Sequence, residues 1–153
     1  MADAMLGRLA RYLRFLGHDT EYVVGGEDDE IRERARREHR ILLTRDRELA
    51  GRTPGALWIA SPGIGPQLRA VHEAFPQFPF EVRFDRCTAC NGPLRPWSPA
   101  AGADWPEGVP REMREGRRPG GVYRCAACGH SFWEGSHTTR IRRDVAAWVG
   151  GGP

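Results

Sequence analysis

The sequence predicts an α/β domain with a small parallel sheet, followed by a small module held by four cysteines. Three observations lead there. Apolar residues recur at helical spacing over residues 4–16. Short, wholly apolar runs at 41–43 and 57–60 stand between charged stretches, as interior parallel strands do. All four cysteines lie in two Cys-x-x-Cys pairs in the second half of the chain. The change in character falls near residue 80, so the expected units are residues 1–80 and 81–149.

Leu6, Leu9, Ala10, Leu13 and Leu16 share one face of a helix over residues 4–16. Asp3 is placed to cap its first turn and Gly17 to end it. Residues 20–24 read as a short strand, closed by Gly25-Gly26. A second helix starts at Asp28 or Asp29. Its acids Asp28, Asp29, Glu30 and Glu33 lie at the positive end, and Arg34, Arg36, Arg37 and Arg40 follow toward the negative end. Ile31 and Ala35 are its clearest apolar members. Strands at 40–44 and 57–60 come next, then a third helix with Pro66 at its first position and Leu68, Val71 and Phe75 inward. Residues 76–86 form a linker, with strand-like composition at 81–84. Residues 93–121, rich in Pro, Gly and charge, read as a long loop between two metal-binding turns. Residues 140–148 close the second unit.

One feature departs from this plan. Only Met1 and Ala2 precede Asp3, fewer than the roughly four residues a strand before a helix needs. Either that strand is missing from this sequence or the fold tolerates its loss.

The 153 residues (17.1 kDa) are 40% hydrophobic and 28% charged, which excludes a wholly disordered chain. No apolar run approaches the roughly 18 residues of a membrane span, and a cytoplasmic protein is the expectation. Residues 1–80 carry 12 Arg and 12 acids, and residues 81–153 carry 11 Arg and 8 acids. One Zn²⁺ on four thiolates lowers the second figure to +1, so nucleic acid can be drawn only by local arginine stripes. Every basic residue apart from the five His is Arg, the better partner for forked phosphate contacts.

The pairs Cys87/Cys90 and Cys125/Cys128 are separated by 34 residues, with Gly92 and Gly129 close behind. Four thiolates at this spacing suit a structural zinc, ahead of two disulfides or iron. A unit of about 60 residues also has too little core without such a staple. The closed site builds the module and catalyses nothing, and the first unit is expected to be largely indifferent to it. His130, Trp133, His137, Arg140, Arg142 and Arg143 follow, a mixture that can stack on bases and hold phosphates or simply pack and face solvent.

The acids allow two readings. Asp46 follows one strand, Asp28 and Asp29 follow another, and Asp3 occupies the same rim if a strand precedes it. Three acid positions at one sheet edge can hold Mg²⁺ or Mn²⁺ and neutralise charge on a phosphate. Equally, Asp3 and Asp28 serve as helix caps and Asp46 as a turn residue. Arg8 and Arg11, with Arg14 continuing the stripe, and Arg45 beside Asp46 can guide a phosphate backbone or face solvent.

The segments 3–17, 40–49, 87–92 and Cys-x-x-Cys-Gly-His with Trp133-Glu-Gly-Ser-His137 resemble, in this order, Mut7-C domains, a branch of the PIN-like ribonuclease superfamily. The resemblance implies a compact PIN-like three-layer α/β domain, a C-terminal zinc ribbon and metal-dependent cleavage of RNA. It places Asp3, Asp28 (or Asp29) and Asp46 as the acids that hold Mg²⁺ or Mn²⁺. It implies that Thr44 orients a carboxylate or water and that Arg8 and Arg11 guide the phosphate backbone; Arg45, His137 and Arg140, read from the residues themselves, complete the expected RNA contacts. Residues 61–65 lack the fourth acid that PIN-like sites often carry. The resemblance also implies a central strand before Asp3, of which only Met1 and Ala2 stand here, so the first strand is expected to be truncated, with loss of stability and displacement of Asp3, and the natural chain to begin upstream or to be a shortened product. The competing functions are a non-catalytic RNA-binding protein and a protein-interaction adaptor.

Overall fold

The computed structural model describes residues 1–99, 104–117 and 120–150. It is a mixed α/β structure with a small parallel sheet and a four-cysteine cluster. A 3-10 turn, Ala4–Leu6, leads into α1, Gly7–Phe15; α2, Asp28–Arg37, follows. Then come β1, Leu43–Thr44; α3, Arg47–Gly51; β2, Leu57–Trp58; and α4, Ile64–Ala74. The second half holds β3, Leu94–Pro96; α5, Arg111–Arg114; β4, Val122–Cys125; β5, Ser131–Trp133; and α6, Ser136–Val149. Among the described residues no helix is long and apolar enough to cross a membrane.

The residues before Asp3 lie between two neighbours in the sheet. Ala2 bridges in parallel to Tyr22 on one side and Leu43 on the other. Its N–H donates to Glu21 O at 2.8 Å, and its carbonyl accepts from Val23 N at 3.0 Å. On the other side Leu43 N donates to Met1 O at 2.8 Å and Asp3 N to Leu43 O at 3.1 Å. Three residues thus make enough ladder bonds to fix Asp3 at the carboxyl end of the sheet. The expected displacement of Asp3 is corrected. β1 then pairs in parallel with β2, Leu43 opposite Leu57.

Side-chain alternation along these segments creates two apolar faces. Ala2 and Leu43 join the leucine stripe of α1 with Ile59, Leu68, Val71 and Val145. Met1 and Leu42 point the other way, onto Ala35 of α2 and Leu49 of α3. Helices therefore cover both faces of the sheet.

Several boundaries shift from expectation. α4 begins at Ile64, so Pro66 sits in its first turn, where a missing N–H still costs nothing. Asp46 caps a helix that had read as a turn. Residues 81–84 form no strand; Arg83 N instead donates to Phe15 O at 2.8 Å. The stretch read as a loop over 93–121 contains β3 and α5, while residues 100–103 and 118–119 lie outside the described part. β3 survives because it pairs with β4, Leu94 opposite Cys125, in the antiparallel order β3-β4-β5. Helix α6, expected to belong to the second unit, packs on α4 of the first. Gly65 permits this approach, since a Cβ there would lie 2.9 Å from the Trp148 indole. Arg69 Nε donates to Trp148 O at 3.0 Å.

Candidate functional site

The Asp3 carboxylate and the backbone N–H of Asp46 meet at one threonine hydroxyl at the carboxyl ends of neighbouring strands. Asp3 is buried, 7% exposed, because the sheet fixes its backbone from both sides. Its Oδ1 accepts from Met5 N at 3.0 Å, which caps the first turn. Its Oδ2 accepts from the Thr44 hydroxyl and from Arg45 N at 3.3 Å. Thr44, fully buried at the end of β1, also accepts from Asp46 N at 2.9 Å. A single hydroxyl thus ties Asp3 to the backbone of Asp46. Asp46 is exposed, and its Oδ1 caps α3 by accepting from Glu48 N at 2.8 Å and Leu49 N at 2.9 Å.

Asp28 and Asp29 open α2, as expected, behind a capping box of Glu27 and Glu30. Their partner is Arg52 at the end of α3, 3.5 Å from Asp28 and 3.8 Å from Asp29; Arg52 also pairs with Glu48 at 3.5 Å. Asp29 pairs with Arg32 at 2.8 Å as well. The structure therefore brings Asp3 and Asp46 to one hydroxyl and gives Asp28 and Asp29 to Arg52. Among the described residues, only the four cysteines form a set of three or more His, Cys, Asp or Glu with ligand atoms within 4.8 Å of one another.

The arginines divide as well. Arg8 and Arg11 are exposed on α1, and Arg8 lies 5.9 Å from the centre of the Tyr12 ring. Arg45 is half-buried beside Asp3; its carbonyl accepts from Trp58 Nε1 at 3.3 Å, and its Nε is buried without a hydrogen-bond partner. His137 and Arg140 are exposed near the start of α6. Arg14 does not continue the surface stripe. It is 6% exposed, and burial pulls its guanidinium below the usual arginine value.

The cysteine cluster fits a tetrahedral ion. Cys87 Sγ lies 3.6 Å from Cys128 Sγ, and Cys90 Sγ 3.5 Å from Cys125 Sγ. A zinc about 2.3 Å from each of four sulfurs spaces them about 3.8 Å apart. Gly92 N donates to Cys90 Sγ at 3.4 Å, and Cys128 N to Cys125 Sγ at 3.5 Å. Burial pushes the Cys87 thiol up to about 12, so a cation is what would hold this sulfur as a thiolate. Cys125 lies the other way, at about 7: burial opposes its charge, but the Cys128 and Ala127 N–H groups stabilise it. The set is compatible with structural zinc.

Arg14 joins the two halves of the molecule. Its Nε donates to Thr20 O at 2.8 Å, and its Nη1 to both Thr88 O and Ala89 O, at 3.0 Å each, inside the first cysteine turn. Asn91, in the left-handed conformation (φ 66°), accepts from Thr20 N at 3.0 Å and donates to Asp19 at 2.7 Å. The sequence offers one signal for this joint, an Asn directly after Cys90 where a left-handed residue is needed. Nothing local marks Arg14.

Neither a curated protein nor a solved structure matches the chain. The Mut7-C RNAse domain matches it over residues 1–145, a span that takes in the acid rim, both cysteine pairs and most of α6. The chain belongs to the Mut7-C RNAse domain family.

Proposed function

We propose that this chain is a metal-dependent ribonuclease that hydrolyses RNA phosphodiester bonds at the Asp3–Thr44–Asp46 rim. The family suggests a ribonuclease-like function with RNA as substrate. The observation that carries the reading is the Thr44 hydroxyl that holds Asp3 and the Asp46 backbone together at the carboxyl ends of neighbouring strands. That is where ligands of open α/β sheets bind.

The donor set is hard oxygen and suits Mg²⁺ or Mn²⁺. Mg²⁺ commonly takes one or two carboxylates and keeps several waters, and Asp3 and Asp46 are the residues that would hold it. Asp28 or Asp29 becomes a third ligand if it exchanges Arg52 for the ion. Such an ion would supply positive charge opposite the scissile phosphate and a more acidic water. The chain's own part is to hold Asp3 rigid at the end of the sheet through Met5 N, the Thr44 hydroxyl and Arg45 N. Arg45 beside Asp3, with Arg8 and Arg11 on α1, binds the non-bridging oxygens and sets the phosphate in line.

The two helix-covered faces support a PIN-like reading of the first unit. The antiparallel β3-β4-β5 sheet with its two cysteine turns supports a zinc ribbon, with His137 and Arg140 gripping RNA outside the rim. On this reading α6 is lent back to the first unit.

The test is incubation of the zinc-loaded protein with single-stranded and structured RNA, with and without Mn²⁺, beside Asp3→Asn and Asp46→Asn. Cleavage should require the ion and fall at least about 100-fold in either variant, a loss of roughly 2.7 kcal/mol of transition-state stabilisation. Cleavage that survives both chelation and substitution would overturn the assignment. Binding without cleavage would mark an RNA-binding protein that retains the fold.

A further inference from the structure

We infer that the wall between the second cysteine turn and the segment after β3 is a subsite for one unpaired nucleobase, guanine above all. It deepens the ribonuclease reading and rests on RNA being the substrate class. A cavity of about 680 Å³ lies there, lined by Trp97, Asp104, Glu107, Arg124, His130 and Trp133 among others. Its size falls within the roughly 300–1,000 Å³ of small-ligand clefts.

The two indoles are held by packing. Trp97 meets Trp105 edge-to-face, with ring centres 5.3 Å apart, and both pack with Trp133 against Val109, Met113 and Val122. Rings already fixed in this way lose little freedom when a base stacks on them, and base–aromatic stacking is worth about 1–3 kcal/mol. Arg124 Nε donates to Gly129 O at 3.3 Å, which anchors the guanidinium beside the cysteine turn. A cation on that side suits a backbone phosphate.

Asp104 and Glu107 are exposed and line the same cavity. Carboxylates repel a phosphate backbone, so they do not add general affinity for RNA. They accept hydrogen bonds from base N–H groups, and an unpaired base offers its Watson–Crick edge to such acceptors. Guanine presents N1–H and its amino group side by side there, which matches a carboxylate. Uracil offers one N–H between two carbonyls, which the carboxylates repel. The wall therefore discriminates among bases, while Arg8, Arg11 and Arg45 serve the backbone.

The experiment measures binding of two fluorescent RNA hexamers, oligouridine and the same strand with one central guanosine, to zinc-loaded Asp46→Asn protein. The guanosine strand should bind about 10-fold tighter or better, and Trp fluorescence should be quenched on binding. The double variant Asp104→Asn/Glu107→Gln, at two surface positions that leave the packing intact, should abolish the preference while keeping affinity for oligouridine. Equal affinity for both strands would overturn the subsite and leave RNA as the substrate class. Failure to bind either strand would overturn both readings.

Discussion

Replacing Arg14 by methionine keeps the aliphatic stem and removes the three donations that join α1 to Thr20 and to the first cysteine turn. Hydrogen bonds from a charged group contribute about 1.5–3 kcal/mol each. The two bonds to Thr88 and Ala89 share one nitrogen and are only partly buried, so together they count as about one. Relief of the buried guanidinium's desolvation offsets part of the loss. The expected net cost is about 2–4 kcal/mol, a large share of the 5–15 kcal/mol typical of a domain. Urea unfolding of the zinc-loaded protein at pH 7 reads this loss, and zinc release to a chromogenic chelator should accelerate in parallel. Amide exchange at Thr20 and Asn91 should rise, because these residues bond across the same joint. Chelation of wild type should weaken the first unit, and chelation of Arg14→Met should add less. Arg11→Met, on the exposed side of the same helix, should change stability by no more than about 0.5 kcal/mol. A loss below about 1 kcal/mol in Arg14→Met, with unchanged zinc release, would refute the joint.

Gly92→Ala places a Cβ 2.8 Å from Ala127 Cβ and 3.1 Å from Cys125 Sγ. Zinc affinity by competition with a chelator should fall about 10–100-fold; an unchanged affinity would show that the second turn can retreat. Gly65→Val should push Trp148 off α4, cost about 1–3 kcal/mol and alter Trp emission, whereas Gly51→Ala, with open space around it and no positive φ, should leave Trp emission unchanged. Burial opposes the Asp19 charge, but hydrogen bonds from Arg40 and Asn91 outweigh it and hold the carboxyl below its usual value. A depressed carboxyl stabilises the fold above its unfolded pKa of about 3.9, and that stability is lost as pH falls through the lower folded value. The urea midpoint should therefore drop more steeply below pH 4 in wild type than in Asp19→Asn; parallel curves would remove Asp19 from the acid response.

Residues whose structure is set by near neighbours were legible in the chain alone. The leucine stripe of α1 announces itself by spacing, and all five of its members are buried. The two cysteine pairs announce a cluster, because each turn is built by four consecutive residues and only one pairing of turns was available. Asp3 and Asp46 stand at element starts, as their capping chemistry requires, whereas the cap expected of Asp28 is supplied by Glu27 just before it. Legibility failed where residues far apart in sequence compete for one another. Arg11 and Arg14 look alike on a helix, yet only Arg14 faces carbonyls 74 and 75 positions away. Nothing local says that Arg52 takes Asp28 and Asp29 while Thr44 takes Asp3. Nor does the length of a strand reveal that two neighbours will pair with Ala2 from both sides. Periodicity and capping report the energy of adjacent residues. Which surfaces meet, and which charge is buried against which carbonyl, is decided only when the whole chain minimises its unsatisfied polar groups together.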